Sequence, residues 1–266
     1  METKVIPNLE DVIKELALPE WLNGKEASFL KLNTKECDLN HLMETCRCLQ
    51  SLYDIICSAR LNLACACRKE YPELLDANNT QLSHIWMSSQ FLNNAILWYN
   101  AAFDLALQPL WVYYKIYTGG NPNLRLTTAN LDKILEQCRF EKLKRNGDMK
   151  IGDPLITNLE RINANMQNNI RLWANNLKHR KKMEYAELSK KTHLVSVGGT
   201  FSMNKDENGN TILKIKEGEY NSSKTIERIN MDYVINTLIT FHKELILLTK
   251  DIVTKIGLQD NWYGVI

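Results

Sequence analysis

The strongest constraint on this chain is a run of apolar residues in its second half. Leu155, Leu159, Ile162, Met166, Ile170, Trp173 and Leu177 follow one another at spacings of 4, 3, 4, 4, 3 and 4. An α-helix turns by about 100° per residue, so this spacing lays all seven side chains along one stripe. Asp153-Pro154 stands just ahead of the run, with Asp suited to the N-cap and Pro to the first helical position. The spacing predicts one helix from 153 to about 182. Such a helix is stable only if its stripe is buried against other elements.

The same signature recurs. Leu42, Cys46, Leu49, Tyr53, Ile56, Leu63 and Cys67 predict a helix over about 38–75, with Pro72 at its fraying end. Val234, Leu238, Phe241, Leu245, Leu248 and Ile252 predict another over 226–256. Residues 80–117 are apolar almost all round, the mark of a centrally buried helix. Pro109 should kink or break it, and Gly119-Gly120-Asn121-Pro122 should end it. Its most apolar part, 95–117, reaches membrane-spanning length. However, Asn100, Asp104, Gln108 and Lys115 interrupt it, and each is costly in lipid, so it reads as a core helix and not a span. Shorter helices are expected at 8–18 and 128–145, the second stopped by Asn146-Gly147-Asp148.

Residues 183–227 change character. Leu194-Val195-Ser196-Val197 and Thr211–Lys216 alternate and are β-branched. Asn208-Gly209 between them is a strong turn signal. A β-hairpin is expected near 194–216. The expected fold is therefore all-α: an antiparallel bundle of long helices with one inserted hairpin. It forms a single domain over 1–266, with an N-terminal extension at 1–38 and an insertion at 183–227.

Composition excludes several classes of function. Formal net charge is +2, so no global field draws the chain to nucleic acid, and any such footprint must be local. Seven cysteines include two C-x-C pairs, Cys46/Cys48 and Cys65/Cys67, but no C-x-x-C. On a helix, positions two apart point about 160° away from each other, so neither pair chelates a metal locally. They read as buried thiols of a reducing cytosol. The N-terminal residues show no apolar core of a signal peptide, and the expected location is cytoplasmic. His41, His84, His179, His193 and His242 lack ligand spacing, so no metal site is expected. Phosphate loops, dinucleotide fingerprints and nucleophile elbows are absent, and no cofactor is expected.

Chemistry concentrates at 171–182. On the predicted helix the apolar stripe spans about 0–80°, while Arg171, Asn175 and His179 fall near 180°, 220° and 260°. They form a polar stripe roughly opposite the core-facing one. Lys178, Arg180, Lys181 and Lys182 make this the most basic stretch of the chain, able to follow a nucleic-acid backbone. A solvated helix face whose cations suit the C-terminal dipole has the same appearance. Asn100 and Asp104, one turn apart on the central helix, are candidate supports. They would either lock two helices through a salt bridge or face Arg171 or His179 and tune them.

The run Asn175-Asn176-Leu177-Lys178-His179-Arg180 resembles the Asn-x-x-Lys-His-Arg variant found in the HEPN superfamily of helical domains. The segment Trp98-Tyr99-Asn100-Ala101-Ala102-Phe103-Asp104 is similar to that group as well. The resemblance spans the long helices, about 60% of the chain. It implies a protein of bacterial or phage defence or stress that acts on or binds RNA. It also implies a homodimer built through the motif helices, and an antitoxin protein as a further partner. His179 would be the general base or acid at a ribose 2′-hydroxyl. Arg171 or Arg180 would stabilise the phosphorane, and Asn175 would orient the imidazole. Cleavage would need no metal. The family pattern places four to six residues between Arg and His, whereas seven separate Arg171 from His179. Along a helix these two start about 12 Å apart. That departure leaves open the alternative of a non-catalytic helical interaction or scaffold protein.

Overall fold

The computed structural model describes residues 8–18, 39–72, 74–75, 81–119, 121, 124–127, 129–151, 153–179, 183–189, 199–205, 211–217 and 228–257. Its helices are α1 (Leu9–Glu15), α2 (Leu39–Ala66), α3 (Gln81–Tyr113), α4 (Leu131–Glu136), α5 (Phe140–Ile151), α6 (Asp153–Asn168), α7 (Ile170–Lys178), α8 (Ala186–Ser189) and α9 (Met231–Lys255). A 3-10 turn at Ile116–Thr118 follows α3. The chain is predominantly helical. Among the described residues, no helix is long and apolar enough to cross a membrane.

α3 is the axis of the molecule. Its buried residues Leu92, Ile96, Tyr99, Phe103, Leu107 and Leu110 form one stripe, and Ala95, Ala102, Pro109, Trp111 and Val112 widen the buried arc to well over half of the helix. α2 runs antiparallel to it. His41 at the start of α2 meets Tyr117, beyond the end of α3, through a 2.6 Å hydrogen bond. At the other end Tyr71, after α2, reaches Ser88 near the start of α3 at 2.9 Å. α6 and α7 lie against the bundle in the reverse sense to α9, since Asn158 donates to Asp251 and Arg161 pairs with Glu244. α3 and α9 run in the same direction: Tyr99 meets His242 at 3.0 Å, and the Tyr114 hydroxyl donates to the Lys255 carbonyl at 3.1 Å. The bundle thus departs from simple up-and-down alternation at the α3–α9 pair.

Several boundaries differ from the sequence expectation. The helix expected as one piece from 153 is divided at Asn169, whose φ of −131° and ψ of −88° lie outside the helical region. Asn168 and Asn169 favour such a break, because their side chains compete for backbone hydrogen bonds. The Tyr233 hydroxyl donates to Asn169 Oδ1 at 3.3 Å, and the Trp173 ring packs edge-on against Tyr233. The helix expected over 128–145 is likewise two. The Trp111 indole N–H donates to the Ile134 carbonyl at 3.1 Å, an acceptor that a continuing helix would use. α5 then runs through Asn146-Gly147-Asp148, which were expected to stop it. Finally, α3 continues past Pro109 to Tyr113 and ends where Lys115 adopts a left-handed conformation at φ 50°.

Two strands, β1 (Gly199–Lys205) and β2 (Thr211–Glu217), pair antiparallel with Gly199 opposite Glu217 and Lys205 opposite Thr211. The 194–197 run expected as a strand and the 206–210 turn fall outside the described residues, as does nearly all of the 1–38 extension apart from 8–18.

Candidate functional site

Arg171 sits in the first turn of α7. The break at Asn169 brings that turn onto α3, and Arg171 Nη2 donates to Asp104 Oδ1 at 2.7 Å. Its guanidinium carbon also stands 6.0 Å from the centre of the Phe103 ring, within cation–π range. The Arg171 side chain is 26% exposed and that of Asp104 is 55% exposed. Asp104 was expected on a buried face, but it lies at the rim of the α3–α7 seam, with water on its outer side. Asn100, one turn earlier, is the buried member. Its Oδ1 has no hydrogen-bond partner among the described residues, nor has Arg171 Nε.

Asn175 and His179 are exposed on the outer face of α7, together with Leu172, which is 52% exposed. His179 is the C-cap of the helix, and its backbone N–H donates to the Asn175 carbonyl at 3.0 Å. Among the described residues its imidazole forms no hydrogen bond. Lys178 beside it is exposed. Arg180, Lys181 and Lys182 lie outside the described residues. The structure therefore divides the predicted set. Asn175, Lys178 and His179 share the free end of α7, whereas Arg171 turns inward to Asp104. Within one chain His179 has no arginine beside it among the described residues, so an imidazole–guanidinium couple at a single phosphate is not assembled there.

Sequence reasoning missed a buried polar node. His242 of α9 is buried, and its Nδ1 meets the Tyr99 hydroxyl at 3.0 Å. Nearby, Arg60 Nε donates to the Leu16 carbonyl at 2.6 Å. Burial pushes the His242 pKa down to about 4; the Arg60 and Lys243 charges act the same way, and the Leu16 backbone opposes them. Burial also raises the Tyr99 hydroxyl far above its usual range. This node ties α1, α2, α3 and α9 together, and its imidazole is neutral at pH 7. The available signal was position: His242 follows the core residue Phe241 and lies at the edge of the apolar stripe of α9.

The cysteines carry no activated thiol among those with a resolved shift. Burial lifts Cys46 to about 11 and, with nearby charges assisting, Cys48 and Cys67 to about 12. No group of three or more His, Cys, Asp or Glu among the described residues is placed to hold a metal ion. Compared with known proteins, the chain matches no family model, no curated protein and no solved structure.

Proposed function

We propose that this is a HEPN-like helical protein that binds RNA through the basic end of α7 without cutting it. The observation that carries this reading is the Arg171–Asp104 ion pair. A guanidinium turned inward to a carboxylate on α3, at 2.7 Å, is not aimed at a phosphate held by His179 at the free end of α7. His179 then keeps only a binding role, alongside Lys178, Arg180, Lys181 and Lys182. These four cations fall within five consecutive residues, and phosphate contacts from such a run supply sequence-independent affinity.

Fluorescence anisotropy with a labelled single-stranded RNA tests it. If all four cations engage phosphates, log affinity should fall with log salt at a slope of about −3. The variant with all four changed to Glu should lose binding, and the RNA should stay intact with or without EDTA. Metal-independent cleavage that His179→Ala abolishes would overturn the binding-only reading. Unchanged affinity in the Glu variant would overturn the assignment of the surface.

Leu172 favours a second reading, in which the same α7 face packs on another protein, a second copy of this chain foremost. An exposed leucine between Asn175 and Asn168 adds apolar area that phosphate does not use. In that case Leu172→Asp shifts the sedimentation of the protein to monomer, and RNA affinity is absent from the start.

A further inference from the structure

A groove of about 710 Å³ lies between the α6–α7 junction and the first half of α9, within the size range of small-molecule sites. Its wall on α9 runs from Asn230 to Glu244, about 20 Å along the helix axis. The charges in it are already answered. Glu244 is paired with Arg161, and Asp232 is engaged as well. Among the described residues, no arginine, lysine or histidine lines the groove. Neither an anion nor a polycation finds an unmet counter-charge there, and leaving water without one is costly for an ion. The groove therefore favours a neutral ligand.

What the walls carry is amide. Asn165, Asn168, Asn169, Asn230 and Asn236 all line the groove. Two of them stand at N-cap positions, Asn169 of α7 and Asn230 of α9, and neither uses its side chain to cap its own helix. Each amide offers two N–H donors and a carbonyl with two lone pairs. Thr237 and Thr240 donate to the Tyr233 and Asn236 carbonyls at 2.8 and 3.0 Å, which leaves their oxygens as acceptors. An anion would use only the N–H half of this set, and an ammonium only the oxygen half. A hydroxyl group both donates and accepts, so a polyhydroxyl ligand engages both halves at once. The apolar part of the lining fits the same class. Met166, Ile170 and Phe241 are buried beneath the amides, and Tyr233 is 50% exposed between them. Its ring gives the C–H face of a sugar an apolar surface with polar groups on either side. Trp173 meets that ring at 80°, so the two do not form the parallel slot that would clasp a flat nucleobase. The neutral lining also separates this groove from the basic end of α7, where an RNA backbone would bind.

We propose that this groove binds a neutral oligosaccharide, its hydroxyls met by the asparagine amides and threonine oxygens and one sugar ring resting on Tyr233. Saturation-transfer NMR with maltotriose, cellotriose and chitotriose, each at millimolar concentration, tests it. At least one of the three should bind. Asn236→Ala, at an exposed position on the groove wall, should weaken that binding by about fivefold or more, the effect of losing a hydrogen-bonding group. Asn94→Ala, at an exposed position on α3 outside the groove, should leave it unchanged. Thr240→Ala takes the place of Asn236→Ala should that variant not fold. No binding of any of the three, equal binding by all the variants, or tighter binding of spermidine or inorganic phosphate in the same groove would each overturn the proposal. RNA anisotropy on Asn236→Ala keeps the two sites distinct: its RNA affinity should equal that of the unaltered protein, and a protein that binds no RNA at all leaves the saccharide result standing.

Discussion

Arg171 and Asp104 bind α7 to α3 across 2.7 Å, although the sequence separates them by 67 positions. The pair is unequal, because the guanidinium is mostly covered and the carboxylate is mostly wet. Screening by water keeps the charge interaction small, about 0.5–1 kcal/mol. Replacing Arg171 by Ala removes more, since the side-chain stem and the Phe103 contact go with it. Arg171→Ala should therefore destabilise by about 1–2 kcal/mol, and Asp104→Ala by less than 1 kcal/mol. A double-mutant cycle by urea unfolding should return a coupling below about 1 kcal/mol that shrinks in 1 M salt. A coupling of several kcal/mol that ignored salt would mean that the pair is buried, contrary to the exposure of Asp104.

Lys115 ends α3 in the left-handed region at φ 50°, the one non-glycine residue at positive φ among the described residues. Its backbone N–H and carbonyl serve the turn, reaching the Val112 carbonyl at 3.0 Å and the Thr118 N–H at 3.2 Å. Glycine keeps both bonds and removes the clash of Cβ with the carbonyl. Lys115→Gly should stabilise the protein by about 0.5–1 kcal/mol, raising the thermal midpoint by a few degrees at most. A lower midpoint would show that the lysine side chain contributes more than the strain removes.

The long helices were legible because burial imposes a period that survives any detail of packing. Leu238, Leu245 and Leu248 stand on the stripe, and all are buried. The break at Asn169 was not legible. Ile170, Trp173 and Leu177 keep the phase of Leu159 and Ile162 across it, so the apolar pattern runs through without interruption. The only local hint was the consecutive pair Asn168-Asn169. Asp104 and Arg171 were both singled out from sequence, yet what joins them is the turn of α7 onto α3 that the break makes. His242 passed unnoticed because one histidine beside an apolar stripe has no partner in sequence; Tyr99 lies 143 positions away.

The thiols give a direct probe of the packed core. Cys48, Cys67 and Cys138 are buried, and burial raises the pKa of each. The thiolate is the reacting species, and at pH 7.5 almost none is present at these sites. Iodoacetamide should leave all three unmodified in the folded protein and label them on denaturation, as read by peptide mass spectrometry. Rapid labelling of Cys67 in the native state would show that the end of α2 opens away from α9.

His242 sets the pH dependence of stability. Its pKa is about 4 in the folded state against about 6.5 unfolded. Above pH 6.5 the imidazole is neutral in both states and adds no slope. Between 6.5 and 4 the unfolded chain takes up a proton that the folded chain refuses, so stability falls as pH falls. Below 4 both states are protonated and the loss is complete, at a size on the order of 3 kcal/mol. Exchanging His242 for Asn removes the titrating group and retains an acceptor for the Tyr99 hydroxyl. The unfolding free energy of His242→Asn, measured by urea at intervals from pH 7.5 to 4, should therefore decline less steeply than that of the unaltered protein in this window, and the two should run parallel above pH 7. Identical slopes throughout would mean that the folded protein accepts a proton at His242, through water that reaches the ring or a shift of Tyr99 away from it.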